Sequence, residues 1–352
     1  MPRRTARPLP DIGPDTGPDT GPDAPEPFGD LAARLRAGEI AALARAITLI
    51  ESTRPDHRER ADGLLEHLLA APAPATLRIG ISGAPGVGKS TLIERLGLYA
   101  IGRGHKVAVL AIDPSSKRSG GAILGDKTRM PDLARHERAF IRPSASGGLL
   151  GGVARRTAEA VIAVEAAGFD LVIVETVGVG QSETAVADLV DLFCLVLQPA
   201  GGDELQGIKK GVVELADLLL VNKADGELTA AATRAAADYH AALQLLRPAN
   251  PRWHPPVLQC SALEGTGLDA LWQTIERFRA LMTESGALTA RRSAQARGRM
   301  WAEIGDTLLD RVRADRGVAA LLPSLEEVVA AGRLAPGTAA RRVLDRLFGG
   351  PT

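Results

Sequence analysis

The chain has 352 residues, with 42 basic and 42 acidic side chains, a formal net charge of zero and a sequence pI of about 7.0. This balance gives no overall field that favours nucleic acid or an anionic membrane, so we expect neither as a partner. No apolar run reaches transmembrane length, and the Arg- and Pro-rich N-terminus lacks a secretory pattern. Cys194 and Cys260 lie in apolar runs and are too few for a disulfide framework, which indicates buried thiols in a reducing compartment. We therefore expect a soluble, cytoplasmic protein.

The first 74 residues contain a tail and a helical region. Residues 1–27 carry tandem Gly-Pro-Asp repeats with few apolar side chains, so this tail is predicted to be disordered. Over residues 28–74 apolar side chains recur at helical spacing until the Pro-rich stretch at the end. This N-terminal helical region carries no chemistry of its own, and we expect it to pack against the main domain.

The main domain, residues 75–283, opens with a phosphate-binding loop. Apolar runs alternate with helical stretches, which predicts the α/β class with a mainly parallel central sheet. The first run ends in G-x-x-x-x-G-K-S and is followed by a helical pattern, the context that distinguishes such a loop from an ordinary Gly-rich turn. Inward-facing N–H groups and the helix N-terminus would hold the phosphates of a nucleoside triphosphate. The loop comprises Gly83, Ala84, Pro85, Gly86, Val87, Gly88, Lys89, Ser90 and Thr91.

Polar residues also follow the other apolar runs of this domain. In an open α/β sheet, ligands bind at the carboxyl ends of the strands, so these residues should lie on the same side as the phosphate loop. Six strand ends together, counting the phosphate loop, indicate a nucleotide site. The five further runs and the residues after them are 107–112 with Asp113, 171–174 with Glu175, 192–197 with Gln198, 218–221 with Asn222, and 257–260 with Ser261.

Two of these strand ends indicate the base. Asn222, Lys223 and Asp225 fit the N-K-x-D pattern, in which the Asp carboxylate accepts from the ring N–H and amino group of guanine. Adenine lacks those donors and would leave the carboxylate unpaired. Ser261 and Ala262 match a second element, in which a backbone N–H meets guanine O6. Although N-K-x-D alone could be a turn, the pair of elements predicts GTP and GDP as ligands.

Carboxylates in the same loops are candidates for Mg²⁺. Lys89 is expected on the β- and γ-phosphates, and the Ser90 hydroxyl is expected to ligate Mg²⁺. Glu175 opens Glu-Thr-Val-Gly178, the place of a Walker-B acid and a γ-phosphate-sensing glycine. Asp113 and Asp126 are further candidates, acting directly or through water, although both could instead cap turns. We therefore expect a metal set of Ser90, Asp113, Asp126 and Glu175.

The last part, residues 284–352, is again helical. It carries an apolar stripe that includes Met300, Trp301, Ile304, Leu308 and Leu309. Such a stripe is usually core, but it is also what a subunit interface requires.

Four segments together resemble one family, the methylmalonyl-CoA mutase-associated GTPases of the MeaB/ArgK type, a branch of the metallochaperone-like P-loop GTPases. The resemblance runs from about residue 30 to the end. It implies a homodimeric GTPase, joined through its C-terminal helices, that assists an adenosylcobalamin-dependent acyl-CoA mutase by gating cofactor loading and protecting and reactivating the enzyme. The segments begin at Asp113 (D-P-S-S), Gly125 (G-D-K-T-R-M), Glu175 (E-T-V-G-V-G-Q-S-E) and Pro199 (P-A-G-G-D-E-L-Q-G-I-K).

The resemblance also implies roles for particular residues. Residues 120–130 and 175–183 correspond to the first and second switch, the latter including Gly178. Residues 199–210 correspond to a third switch, in which Gln206 and Lys209 would couple the nucleotide to the mutase. The catalytic set is then Lys89, Glu175, Gln206 and Lys209. No glutamine has the usual water-orienting spacing, so we expect slow turnover alone, stimulated by the partner, with Lys209 or Arg129 supplying charge.

Two other functions are open to a chain of this pattern. A GTPase that assembles nickel or cobalt centres would share the fold but should carry a Cys/His site near the switches. An ATP-dependent, transport-linked kinase would share the phosphate loop, but the N-K-x-D element argues against ATP.

Overall fold

The computed structural model describes residues 27–71, 75–112, 129–143, 150–176, 182–199, 210–246 and 250–349. Seven strands form one sheet in the order β3-β2-β4-β1-β5-β6-β7, and every neighbouring pair is parallel. This confirms the predicted α/β class and parallel sheet. The strands are β1 Leu77–Gly83, β2 Val107–Ile112, β3 Ala139–Pro143, β4 Leu171–Thr176, β5 Leu192–Leu197, β6 Leu218–Val221 and β7 Val257–Gln259.

The helices alternate with the strands and continue beyond them at both ends. The described helices are α1 Phe28–Arg36, α2 Ile40–Glu51, α3 Pro55–Leu69, α4 Lys89–Ile101, α5 Pro131–Arg135, α6 Leu150–Ala166, α7 Ser182–Ala187, α8 Lys210–Leu215, α9 Thr229–Gln244, α10 Leu268–Glu284, α11 Ala287–Ala314, α12 Arg316–Ala330 and α13 Pro336–Phe348.

The sheet lies between two helical layers. Strands β2, β4, β5 and β6 are buried along their whole length, as expected for a parallel sheet that is covered on both faces. Alternate side chains of these strands enter two separate apolar clusters. One cluster includes residues of α1–α3, α6, α7 and α9, and the other includes residues of α4, α5 and α10.

The strand boundaries mostly follow the apolar runs. Strands β2, β5 and β6 have the predicted bounds, but β4 continues to Thr176, so Glu175 lies one residue inside the strand rather than after it. The last strand ends at Gln259 instead of Cys260. The sequence did not predict β3, which lies at the sheet edge and contains Arg142 and Pro143.

The N-terminal helices α1–α3 pack on α6 in the same apolar cluster as one face of the sheet. Two ion pairs join them to the rest of the molecule. Arg58 of α3 donates to both oxygens of Glu159 at 2.9 and 2.6 Å, and Arg142 of β3 donates to Glu51 of α2. Both pairs are part-buried.

The root of α11 is tied to the beginning of the sheet strands. Arg292 donates to both oxygens of Asp191 at 2.7 and 2.6 Å, and Arg291 donates to both oxygens of Asp217 at 2.7 and 2.8 Å. Asp191 is fully buried and also accepts from the N–H of Arg78 at 2.8 Å. These bonds fix where α11 leaves the domain.

Beyond this root, α11 buries no residue of its own. The apolar stripe lies on its surface, and Trp301 is 66% exposed. Helices α12 and α13 pack on each other around a small core of Val318, Leu325 and Ala339. The stripe is therefore not core in the single chain.

Candidate nucleotide-binding site

The phosphate loop connects β1 to α4, and its glycines cannot be replaced without conflict. A Cβ at Gly83 would lie 2.2 Å from the carbonyl oxygen of Val196 in β5. Gly86 and Gly88 have φ of 81° and 91°, which L-residues rarely adopt. A Cβ at Gly88 would also lie 2.6 Å from Nδ2 of Asn222. The loop is therefore held against the strand beside it and against the candidate base loop.

Lys89 folds back over this loop. Its Nζ donates to the carbonyl oxygens of Gly83 at 2.8 Å and Ala84 at 3.1 Å, and the residue is only 7% exposed. Burial lowers the pKa of Lys89, while the charge of Glu175 opposes that change. Arg129 and Glu183 also lie close enough for their charges to act on Lys89. The Lys89 ammonium is buried and has only neutral carbonyl groups as hydrogen-bond partners. An anion that binds beside it would therefore form a strong charge-assisted hydrogen bond.

Ser90 and Glu175 meet at the mouth of the loop. Ser90 Oγ donates to Glu175 Oε1 at 3.1 Å, and Glu175 is 3% exposed. Ile81 of β1 lies opposite Glu175 of β4, and the phosphate loop that follows β1 returns Ser90, in the first turn of α4, to this carboxylate. A hydroxyl and a carboxylate beside a phosphate loop are oxygen donors of the kind that Mg²⁺ takes, so these residues fit the ion.

The base loop is built around Asn222. Its Nδ2 donates to the Val87 carbonyl at 2.8 Å, and its Oδ1 accepts from the Ala262 N–H at 3.0 Å. The next residue, Lys223, has a positive φ of 60°, which no other non-glycine residue in the described part of the chain has. Asn222 therefore joins the phosphate loop to both candidate base elements.

Asp225 is oriented by Ser261. The Ser261 hydroxyl donates to Asp225 Oδ2 and accepts from the Glu264 N–H at 3.0 Å. The backbone N–H groups of Ser261 and Ala262 also have partners inside the protein, Thr266 O and Asn222 Oδ1, each at 3.0 Å. A contact of either N–H with guanine O6 would therefore have to share or replace a bond that this structure contains.

Comparison with known proteins identifies the family. A family model described as "Methylmalonyl Co-A mutase-associated GTPase MeaB" matches residues 43–317. The chain belongs to the MeaB family.

Individual members support this over most of their length. The GTPase ArgK of Escherichia coli is 51% identical over 263 residues, 75% of this chain and 79% of that protein. The mouse protein named methylmalonic aciduria type A homolog, mitochondrial, is 47% identical over 316 residues, 87% of this chain and 76% of that protein. The crystal structure of a LAO/AO transport system kinase superposes with a TM-score of 0.75 at 39% identity, covering 91% of this chain and 97% of the other.

In this MeaB-family chain, the structure brings together the phosphate loop, Glu175 and both base elements. Five predicted residues lie outside the part of the chain that the structure describes, so their roles stay predictions. They are Asp113, Asp126, Gly178, Gln206 and Lys209.

In the described part of the chain, none of the helices has both the length and the apolar character that a membrane span requires.

The sequence did not predict one polar contact of the site. Ser82 Oγ and Thr176 Oγ1 are both fully buried and lie 2.9 Å apart, linking β1 to β4 directly before the phosphate loop. The signal available in the sequence was a hydroxyl side chain, Ser82 or Thr176, near the end of each of two mainly apolar runs. The bond fixes the spacing of β1, which leads into the phosphate loop and Ser90, and β4, which carries Glu175.

Proposed function

We propose that this protein is a Mg²⁺-dependent GTPase that acts as a homodimeric chaperone of an adenosylcobalamin-dependent mutase of the methylmalonyl-CoA type. In this role GTP state gates cofactor loading and protects and reactivates the mutase. The link through Asn222 between the phosphate loop and the base loop carries the nucleotide part of the proposal. Membership of a mutase-associated family supports the partner.

The chain's own residues supply most of what phosphoryl transfer needs. The N–H groups of the phosphate loop bind the β-phosphate, and Lys89 leaves its carbonyl partners to meet the β- and γ-oxygens. Ser90 and Glu175 would hold Mg²⁺, which supplies positive charge to the phosphates when bound. Asp225, held by Ser261, accepts from the guanine edge and excludes adenine.

Stimulation by the partner follows from what the site lacks on its own. With no glutamine at the usual water-orienting spacing, turnover alone is slow, and a group ordered by the mutase stabilises the transition state. Such contributions reach about 10³–10⁵-fold in known GTPases. Lys209 and Gln206 of the third switch are the proposed couplers, and Arg129, whose charge acts on Lys89, is the described candidate for the stabilising charge.

The test is GTP turnover with and without purified methylmalonyl-CoA mutase, with ATP and added EDTA as controls. We expect slow, Mg²⁺-dependent GTP hydrolysis that the mutase accelerates strongly and no comparable use of ATP. Lys209→Ala and Arg129→Ala, assayed side by side, identify which cation the mutase needs. GTP hydrolysis that the mutase does not change would contradict the partner but not the nucleotide.

An ATP-dependent kinase is the second candidate, because the solved structure with a TM-score of 0.75 is named as a transport system kinase. The Asp225–Ser261 pair favours guanine over adenine. Competition between GTP and ATP for the site separates the two, since a kinase of that type would prefer ATP.

A further inference from the structure

Side chains of α11 hold the end of α7. Gln295 Nε2 donates to the carbonyl oxygens of Ala187 at 3.2 Å and Val190 at 2.8 Å. Arg299 Nη1 donates to the carbonyl oxygen of Asp188 at 3.1 Å. Ala187 ends α7, where a carbonyl has no partner within the helix, and Asp188 and Val190 lie in the short segment between α7 and β5. Helix α11 therefore caps α7 and binds the turn that follows it.

Helix α7 is also close to the nucleotide site. Glu183, in its first turn, lies close enough for its charge to raise the pKa of Lys89. The helix packs on β1 and β4, the strands that lead to the phosphate loop and to Glu175, and on α8. A movement of α7 would therefore change the surroundings of Lys89, and a γ-phosphate beside Lys89 would act on α7 in return.

The two faces of α11 meet different surroundings. Gln295, Arg299 and Glu303 recur every fourth residue and face the domain, where Glu303 pairs with Arg155 of α6. Trp301 and Ile304 of the apolar stripe fall on the opposite face, about half a turn away, and are exposed. The helix thus lies between the end of α7 and whatever covers the stripe.

Buried polar groups of α11 and α6 face each other across a groove. Gln295 Oε1 is buried without a hydrogen-bond partner among the described residues, and Arg155 Nε lies 3.6 Å from Glu159 Oε1, with which it forms an ion pair. Gln295 and Arg155 line one groove of about 780 Å³ between α6, α7, α8 and α11. Ala187 and Asp188, which accept hydrogen bonds from α11, line the same groove, so the contact between α7 and α11 lies beside a groove rather than inside a packed core.

We propose that Gln295 and Arg299 are positioning residues that couple the nucleotide site to the outer face of α11. Exchange of GDP for GTP moves α7, the cap moves with it, and the stripe around Trp301 changes its surroundings. By linkage, a second chain that binds the stripe more tightly in one nucleotide state changes the relative affinity for GDP and GTP by the same factor. The proposal rests on the GTP cycle proposed above, but not on the identity of the mutase.

The test is ¹⁹F NMR of the full chain labelled with 5-fluorotryptophan at its three tryptophans. Trp301→Phe assigns the signal of Trp301. In the wild type we expect this signal to shift between the GDP and GTPγS complexes. In Gln295→Ala/Arg299→Ala we expect the two complexes to give one position while both nucleotides still bind.

Two further variants separate coupling from packing. Gln295→Glu keeps the side-chain size but cannot donate to the two carbonyls, so it should lose the shift as well. Arg297→Ala changes an exposed residue of the same helix and should keep it. A double variant that retains the wild-type shift, or a wild type that binds both nucleotides without a shift, overturns the coupling. Failure to bind fluorescent GDP or GTP, measured on the same samples, instead refutes the proposed function, and the coupling falls with it.

Discussion

Asn222 contacts both halves of the nucleotide site, so a change in one loop should reach the other. Gly88→Ala tests this, because its Cβ would lie 2.6 Å from Asn222 Nδ2. We expect a large loss of affinity for fluorescent GDP, from the clash and from strain at a φ of 91°. Gly86→Ala is the control: a Cβ there meets nothing within 4 Å, so only the strain of about 1–2 kcal/mol remains. Equal losses in the two variants would contradict the link.

Asp225 should decide the base. In Asp225→Asn the amide replaces a carboxylate that accepts from guanine, and we expect GTP binding to weaken by about 1.5–3 kcal/mol, roughly 10- to 150-fold. The amide can donate to the 2-oxo group of xanthine, so affinity for xanthosine triphosphate should rise. Competition binding measures both, with Glu227→Gln in the adjacent turn as control. Unchanged preference would contradict the assignment of Asp225.

The two thiols should be inert in the folded protein. Burial raises the pKa of Cys194 to about 12 and that of Cys260 to about 11, so both stay protonated where unfolded thiols ionise. The free energy of unfolding should therefore fall as pH rises from about 9 to 11, by at most about 1.4 kcal/mol per pH unit for each thiol. A disulfide reagent at pH 8 should label neither thiol until urea unfolds the protein. Fast labelling of the native protein would refute this prediction.

At the scale of elements, the root of α11 depends on a buried ion pair. Arg292→Ala leaves the fully buried Asp191 carboxylate without its guanidinium, and we expect the free energy of unfolding to fall by about 3–5 kcal/mol. Urea unfolding measures this, and Arg297→Ala on the same helix should change it by less than about 0.5 kcal/mol. Removing both charges in Asp191→Asn/Arg292→Leu should recover part of the loss. A single variant as stable as the wild type would show that the root is held by packing alone.

The elements that the sequence predicted best are those with one environment along their whole length. Strands β2, β5 and β6 are buried on both faces, which requires an unbroken apolar run that is visible in the sequence. Strand β3 has a single neighbour and carries Arg142, whose charge pairs with Glu51 of α2, so its five residues leave no such run. Burial that depends on a distant helix leaves no local pattern.

The same distinction applies to the site. The phosphate loop and the base loop are each formed by one continuous stretch of sequence, so the chemistry of each could be predicted from the spacing of its residues. The bonds from Gln295 to Ala187 and Val190 join residues more than a hundred positions apart, and no motif encodes them. The exposed stripe was visible as a period, but only the structure shows that the single chain leaves it uncovered.

At the scale of the whole molecule, the stripe should hold two chains together. Ile304→Asp/Leu308→Asp places charges on the surface that we propose for the homodimer, and we expect light scattering to give one chain of 36.8 kDa instead of two. Leu245→Asp is the control, since Leu245 is 86% exposed but lies on α9's end and not on the stripe. A wild type that is already monomeric would contradict the proposed dimer.

The length of α11 has a mechanical consequence. The helix has 28 residues, and its pair with Arg155 at Glu303 lies 11 residues before its end at Ala314, so about 16 Å of helix extend beyond that pair. A rotation of about 10° at this attachment would then displace the far end, with α12 and α13, by about 3 Å. The part of α11 beyond Glu303 is therefore a lever: a rotation that moves atoms very little at the domain moves α12 and α13 by ångströms.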